Sequence, residues 1–528
     1  MLSDTETGGR REGAILLALA IVTGTWFRFW GLGRPTLWLD EFVTNWITSA
    51  GSWGELWERS TSYAATPPLF FAVERVVRAI AGLNELAMRL PAATFDIAAM
   101  LVLFGLVREL AGVRAGGGAA LLFAWNTTMV YHARMARPYS LAVLLATMSV
   151  WSFWRAVERP DRIGSWVMFV VTAAGLLYTQ FVFAPLLLLP FGWSVFVGLR
   201  GGRAVLARTI AALAAIGLVC WPLQSQLARL WDDRELLAWG SAAAGADRVA
   251  QFFQPGAVLV AVSAGLLAAL VGRVLGRDQF VGLENAAPEQ GSRIKSLAIL
   301  FAWFAVPMIS MWLASAWLHP TLSETRYLVT AAPPCCAILA VLVSWVRPAF
   351  VRLLIVAAYL LATPQVAQIR EIATQGHATL VTYDLRPALV KLDREVAATD
   401  LVLIRSGLVE STLLDRRWGD RKLHSYLGCP LAPFYLTRPM RFFAVPDHGS
   451  QRELATHLSG LIAETASNGG RVWVVSHDGY GAGQPAAESV DRLLRQAGWQ
   501  LQQAEFLGGE LVLVFVRLAA THSGPDGS

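Results

Sequence analysis

Apolar stretches close to the ~20 residues that span a bilayer recur along this chain from Gly13 to Ala362. In lipid a backbone must satisfy its own hydrogen bonds, so such a chain is confined to packed helices. Composition agrees: 55% of the 528 residues are hydrophobic and mean hydropathy is +0.47, above the roughly 45–50% apolar of soluble domains. From Gln365 onward the apolar runs shorten and charge and turn residues increase. The pattern predicts an α-helical polytopic membrane domain over residues 1–365 and a soluble α/β domain over 366–528.

Spans are expected near 13–33, 89–110, 117–133, 139–157, 164–179, 181–199, 207–223, 255–275, 296–318, 328–346 and 350–365, about eleven in all. Arg10 and Arg11 precede the first, and no small-residue cleavage site follows it, so it reads as an uncleaved signal anchor. With the N-terminus cytoplasmic, every inner loop is basic; Arg108/Arg114, Arg155/Arg159/Arg162 and Arg200/Arg203/Arg208 are examples. An odd number of spans then places the C-terminal domain outside. Net charge is +6, but the cations cluster between apolar segments. That is membrane topology rather than a nucleic-acid surface. Cys220, Cys335, Cys336 and Cys429 are too few and too apolar in setting for a disulfide framework.

Pro67–Leu83 decides the register. Glu74, Arg75 and Arg78 share one helical face, and Leu69, Phe70, Val73, Val76, Val77 and Ile80 cover much of the rest. That describes a helix lying at the membrane surface, not one crossing it. Residues 34–88 therefore read as one long outer loop. Beyond Gln365, strand candidates are 400–405, 441–445, 471–475 and 511–516, and helix candidates are 386–397, 451–464 and 489–497.

Four clusters carry chemistry. Asp40 and Glu41 sit side by side just past the first span, and paired carboxylates at a membrane boundary are costly unless solvated or used. Asp40 is the leading candidate for a catalytic base supported by Glu41; the competing reading is that Asp40 caps a helix. His132-Ala-Arg-Met-Ala-Arg-Pro-Tyr-Ser holds Arg134 and Arg137 on the supposedly outer side, where Arg is scarce. Arg137 either snorkels to the interface or grips a phosphate with its planar fork. Ser323-Glu-Thr-Arg-Tyr-Leu brings Arg326 to the same side. Tyr178-Thr-Gln forms an outer turn, more simply a satisfied one. Asp232, Asp233 and Glu235 read as a solvated loop, and His319 as a boundary residue. A carboxylate with phosphate-binding cations suits transfer from a lipid phosphate to a hydroxyl.

The ordered runs W-L-D-E (Trp38–Glu41), T-P-P-L (Thr66–Leu69), R-L-P (Arg89–Pro91), A-R-P-Y-S-L (Ala136–Leu141) and R-Y-L (Arg326–Leu328) resemble the bacterial branch of the GT-C glycosyltransferases. That branch is similar to protein O-mannosyltransferases and lipid A aminoarabinose transferases. The resemblance covers roughly residues 13–345. It implies a polyprenyl-phosphate-linked sugar donor, an inverting mechanism, a base at Asp40 and interfacial helices in the first outer loop; substrate contacts are expected at His132, Arg137, Tyr139, Gln180, Arg326 and Tyr327. It implies a lipid, glycan or protein acceptor, the membrane as setting and no nucleic acid, with the bacterial cytoplasmic membrane as location. Three positions depart from the family. Ala64-Ala65-Thr66 stand where aminoarabinose transferases carry a Glu that helps bind a divalent metal, Met135 stands where many relatives have Glu, and Gln180 where they often have His. The metal is thus left open. A transporter or flippase of a lipid-linked substrate, or an inactive relative, are the alternatives; no inverted hydropathy repeat favours the former.

Overall fold

The computed structural model describes residues 2–235, 255–274, 290–317, 324–346, 349–363, 366, 371, 384–446, 451–477, 485–507 and 510–517. His319 and Ser323 lie outside the described residues. Contacts divide the chain into two compact units. One comprises Met1–Pro35, Ala65–Trp231 and Trp239–Thr379; the other comprises Thr36–Ala64, Asp232–Ala238 and Leu380–Ser528.

The first unit is helical. Helix Leu2–Phe29 lies along helix Val113–Ala124. Gly13 and Gly117 face each other there, and a methyl on either would overlap backbone of the other helix. Small residues let membrane helices approach this closely, so dispersion and backbone contacts replace a hydrophobic drive that lipid does not supply. Five described helices are long and apolar enough to cross a membrane: Gly8–Phe29, Glu85–Ala111, Tyr139–Glu158, Phe181–Leu199 and Ile294–Ala316. Arg203–Val219 and Trp221–Asp232, bent by 49°, make a sixth if they form one span. Val113–Ala124, Ile163–Thr179, Pro255–Ala268, Val329–Ser344 and Ala349–Ala362 are apolar but shorter. Length and composition therefore carry five or six of the expected spans.

The expected span at 117–133 is not one helix. It breaks into Val113–Ala124 and Thr127–Ala133. Asn126 causes the break: its side chain accepts from Met129 N at 3.1 Å and starts a new helix, as a short polar side chain at an N-cap does. The segment expected to lie flat forms helix Leu69–Ala81, which at ~1.5 Å per residue is about 20 Å long and too short to span. Its inward face holds Phe70, Phe71 and Glu74, while Val76 and Ile80 are exposed.

In the second unit a five-stranded sheet runs β2-β1-β3-β5-β4. The strands are β1 (Leu401–Arg405), β2 (Phe442–Ala444), β3 (Val472–His477), β4 (Trp499–Leu507) and β5 (Glu510–Arg517). β2, β1 and β3 are parallel; β5 and β4 are antiparallel to their neighbours. Leu401–Ile404 are buried throughout, as a central parallel strand covered on both faces requires. Asp400 anchors this centre. Its carboxylate accepts from Ala397 N, Arg471 N, Arg471 Nε and Trp473 Nε1, all within 3.1 Å. Burial opposes its ionisation, but these four donors outweigh it and hold the carboxyl below its ordinary range. β4 was not expected, because Gln500, Gln502, Gln503 and Glu505 hide its apolar alternation and a register shift falls between Leu501 and Gln503.

Residues 36–64 belong to this second unit as helices Leu39–Thr48 and Trp53–Ser62. Leu37 N donates to Tyr435 Oη at 2.9 Å and Trp46 Nε1 to Ser425 Oγ at 2.9 Å. Phe42 meets Phe434 and Tyr435 edge-on. Trp46, Tyr63 and Tyr426 pack ring against ring. Asp420 ties this contact together. It caps helix Arg421–Leu427 through Lys422 N and Leu423 N, pairs with Arg417 Nη2 at 2.5 Å, and faces the Tyr63 hydroxyl at 3.4 Å. Burial works against its charge, but Arg417 and the two N–H groups prevail and keep the carboxyl below its ordinary range. A depressed carboxyl stabilises the fold above its unfolded pKa, and that contribution fades as pH falls through the folded value. Asp420→Ala should therefore cost about 1–2 kcal/mol near neutral pH, the worth of an N-cap. The gap to wild type should narrow in thermal melts below about pH 4. A gap independent of pH would mean that the loss is packing alone.

Candidate functional site

The carboxylates lie on helix Leu39–Thr48 of the second unit, in its first turn. The expected alternative, Asp40 as the cap, is corrected by geometry. Glu41 makes the cap: its Oε2 accepts from Trp38 N at 3.0 Å, the reach-back of a third-position glutamate. Glu41 is 1% exposed, while Asp40 is only half-buried. Glu41 thus fixes the helix start on which Asp40 stands.

The cations lie in the first unit, and the local sequence explains their positions. Asn126 starts the short helix Thr127–Ala133. Pro138 lacks an N–H and disfavours helix at the residue before it. Arg134–Arg137 therefore bend between that helix and helix Tyr139–Glu158, with Arg137 N bonded to Met135 O at 2.8 Å. His132 and Tyr139 come ring to ring at 4.7 Å between centroids. Arg137 is 8% exposed and His132 5%, too enclosed for a side chain that merely snorkels to the surface.

Arg326 sits on the tight turn Thr325–Tyr327, its guanidinium over the Tyr327 ring at 5.1 Å. Its charge reaches His132. The next turn, Val329–Ala331, packs on helix Tyr139–Glu158. Gln180 ends helix Ile163–Thr179, which returns antiparallel to Tyr139–Glu158 through the loop 159–162. Gln180 is therefore at the Tyr139 end of that pair. One end of this helix group gathers His132, Arg137, Tyr139, Gln180, Arg326 and Tyr327.

Two neighbours were missed in the sequence. Ser140 and Thr330 are each 1% exposed. Their hydroxyl oxygens, with His132 Nδ1 and Gln180 Oε1, are buried and find no hydrogen-bond partner among the described residues. Buried polar atoms in folded proteins are nearly always paired, so four orphans at one end of one helix group point to a polar ligand. Ser and Thr in apolar helices carry too little sequence signal to show this. Three other arginines at the same end of helix Leu2–Phe29 are structural. Arg28 pairs with Asp96 at 2.5 Å and bonds Ala124 O. Arg134 Nη1 bonds the carbonyls of Phe27, Arg28 and Trp30. Arg89 Nη1 bonds those of Leu32 and Pro35. The first, Arg28–Asp96, was visible as a charge inside each of two apolar segments, a feature that needs a partner.

Among the described residues no three His, Cys, Asp or Glu side chains gather as a metal-binding set. Ala64-Ala65-Thr66 offer no carboxylate, and Glu41 already serves as a cap. The chemistry below is derived from the chain's own groups. Ala65 has φ 51°, a left-handed conformation uncommon for a residue with a Cβ.

Residues 65–230 match the model of the dolichyl-phosphate-mannose-protein mannosyltransferase family. No curated protein matches the chain by sequence. The fold is similar to ArnT from Cupriavidus metallidurans bound to undecaprenyl phosphate, with TM-score 0.57 and 14% identity, covering 97% of this chain and 99% of that one. It is also similar to the archaeal oligosaccharyltransferase AglB from Archaeoglobus fulgidus in complex with an inhibitory peptide and a dolichol-phosphate. There the TM-score is 0.52 and identity 12%, over 88% of this chain and 69% of that one. The apolar helices, the small C-terminal sheet and these likenesses identify the chain as a multi-pass membrane protein of GT-C fold, similar over residues 65–230 to the dolichyl-phosphate-mannose-protein mannosyltransferases.

Proposed function

We propose that the chain is a membrane glycosyltransferase that moves a sugar from a polyprenyl-phosphate donor to a hydroxyl of a lipid, glycan or protein acceptor. The observation that carries this reading is the enclosed polar group around Arg137 and Arg326, with its four orphaned atoms, on a fold shared with a protein that holds undecaprenyl phosphate. Asp40 takes the proton from the acceptor hydroxyl. The acceptor oxygen attacks the anomeric carbon from the face opposite the phosphate. The carbon–oxygen bond to phosphate breaks, and polyprenyl phosphate leaves with the electron pair, so configuration inverts. Arg137 and Arg326 meet the charge that grows on the departing phosphate. Tyr139 and Tyr327 hold the cations in place, and His132, Gln180, Ser140 and Thr330 supply hydrogen bonds to phosphate or sugar. The chemistry takes place on the extracytoplasmic face of a bacterial cytoplasmic membrane, with the N-terminus cytoplasmic and the C-terminal domain outside.

The test is the purified full chain in proteoliposomes with labelled polyprenyl-phosphate sugars and a membrane extract as acceptor. Release of polyprenyl phosphate in step with a labelled product of opposite anomeric configuration is expected. Donor that crosses the bilayer intact would make the protein a flippase. Donor neither consumed nor moved would make it an inactive relative.

A further inference from the structure

Helix Leu39–Thr48 carries Asp40 in its first turn and Trp46 about 9 Å further along, at ~1.5 Å per residue. Trp46 is held by two consecutive residues of helix Arg421–Leu427. Its Nε1 donates to Ser425 Oγ at 2.9 Å, and its ring meets the Tyr426 ring at 5.3 Å between centroids. Whatever fixes helix Arg421–Leu427 therefore also fixes the helix that carries Asp40.

His424 stands one residue before that pair and is buried. Both its ring nitrogens are engaged. Nε2 lies 2.7 Å from Trp418 O, and Nδ1 lies 3.2 Å from Ala444 N. A carbonyl only accepts and a backbone N–H only donates, so Nε2 carries the proton and Nδ1 accepts. The neutral ring in that tautomer satisfies both. The first bond closes the turn that leads from Trp418 into the helix. The second reaches another element. Ala444 ends β2, an edge strand of the sheet. Val445 N donates inward to Ile404 O of β1, and Ala444 N, on the open edge, donates to His424. Gly428, just past the helix, packs so closely on the same strand that a methyl there would overlap the Phe442 ring.

The surroundings keep the ring neutral. Trp418 and Phe443 meet it edge-on at 5.0 and 5.3 Å between centroids. Burial is the largest influence and pulls His424 below its ordinary value. His457, stacked on Trp418 at 4.4 Å, acts in the same direction, while Trp418 O and Asp420 oppose it. A proton on Nδ1 would set N–H against the N–H of Ala444. We propose that His424 is a positioning residue for the transfer reaction: its ring pins helix Arg421–Leu427 to the sheet edge, and that helix, through Ser425 and Tyr426, sets the helix on which Asp40 stands. This rests on Asp40 acting as the base. The role is indirect, so loss of His424 acts on turnover and not on donor binding.

The experiment is transfer by the purified full chain in proteoliposomes, with His424→Gln and His424→Asn, each alone and combined with Asp40→Asn. Glutamine keeps a donor for Trp418 O but loses the acceptor for Ala444 N. Its kcat should fall about tenfold, less than the roughly 10²-fold that a 1 Å misplacement can cost, with the donor KM unchanged. Asparagine puts an oxygen where Nδ1 stands and should restore most of that rate. In the Asp40→Asn background His424→Gln should cost nothing further, because no base is left to misplace. If His424→Gln fails to fold, Trp46→Phe, which removes the bond to Ser425, takes its place in the cycle. An unchanged kcat, a fall of equal size with and without Asp40, no recovery with asparagine, or a raised KM at constant kcat overturns the positioning role. Transfer by Asp40→Asn at the wild-type rate instead overturns the reading on which that role rests.

Discussion

Asp40→Asn should lower transfer by roughly 10²–10⁴-fold, the usual worth of a general base. Asparagine keeps the size of the side chain and removes its ability to take a proton. The geometry makes this a clean test. Glu41, not Asp40, accepts from Trp38 N, so the substitution leaves the helix cap intact. The melting temperature and donor affinity should stay close to wild type while single-turnover transfer at saturating donor falls. Glu41→Ala should do the reverse in part: it removes the cap, costs about 1 kcal/mol of stability, and disturbs turnover through the position of the helix. Near-normal transfer by Asp40→Asn would exclude Asp40 as the base.

Arg137→Lys and Arg326→Lys should each reduce kcat/KM by about 10- to 100-fold, below the cost of deleting an oxyanion donor because the charge remains. Lysine offers a point charge where arginine offers a planar fork that binds two phosphate oxygens. The loss should appear in kcat as well as in donor affinity, since negative charge on the leaving phosphate grows in the transition state. At Arg326 the change also alters the cation–π contact with the Tyr327 ring, seen at 5.1 Å from Cζ to the ring centroid. Donor titration of the purified variants reads both effects. Wild-type kinetics in both would remove these cations from the phosphate and leave the orphaned Ser140, Thr330, His132 and Gln180 atoms without that account.

The helical architecture was legible because bilayer thickness writes itself into long apolar runs. Helices Glu85–Ala111 and Tyr139–Glu158 were expected within a few residues of where they stand. What hydropathy could not resolve was a break inside an apolar run. Asn126 is a single polar residue, and only its bond to Met129 N shows that it starts a helix. In the C-terminal sheet, β1, β3 and β5 were readable as short apolar strands, whereas in β4 Gln500, Gln502, Gln503 and Glu505 interrupt the apolar residues and gave no such pattern. At the candidate site the charged residues stood out because charges are rare in such a chain. The pairing of Arg134 with carbonyls of the first helix did not, since backbone acceptors leave no mark in sequence. Nor did Ser140 and Thr330, which are ordinary residues until their burial is known.

The packing of residues 36–64 with the C-terminal residues has a consequence for anyone recombining relatives of this chain. A chimera joined at the end of the last apolar helix, near residue 365, is the obvious cut by hydropathy. It would pair a native Asp40 helix with a foreign Ser425, Phe434 and Tyr435, the residues that seat that helix through Trp46, Phe42 and Leu37. The heritable module is discontinuous: residues 36–64 and the stretch from Leu380 onward, far apart in the gene, must be exchanged together. Selection on the segment that carries the carboxylate pair is tied to selection on a domain more than three hundred residues downstream.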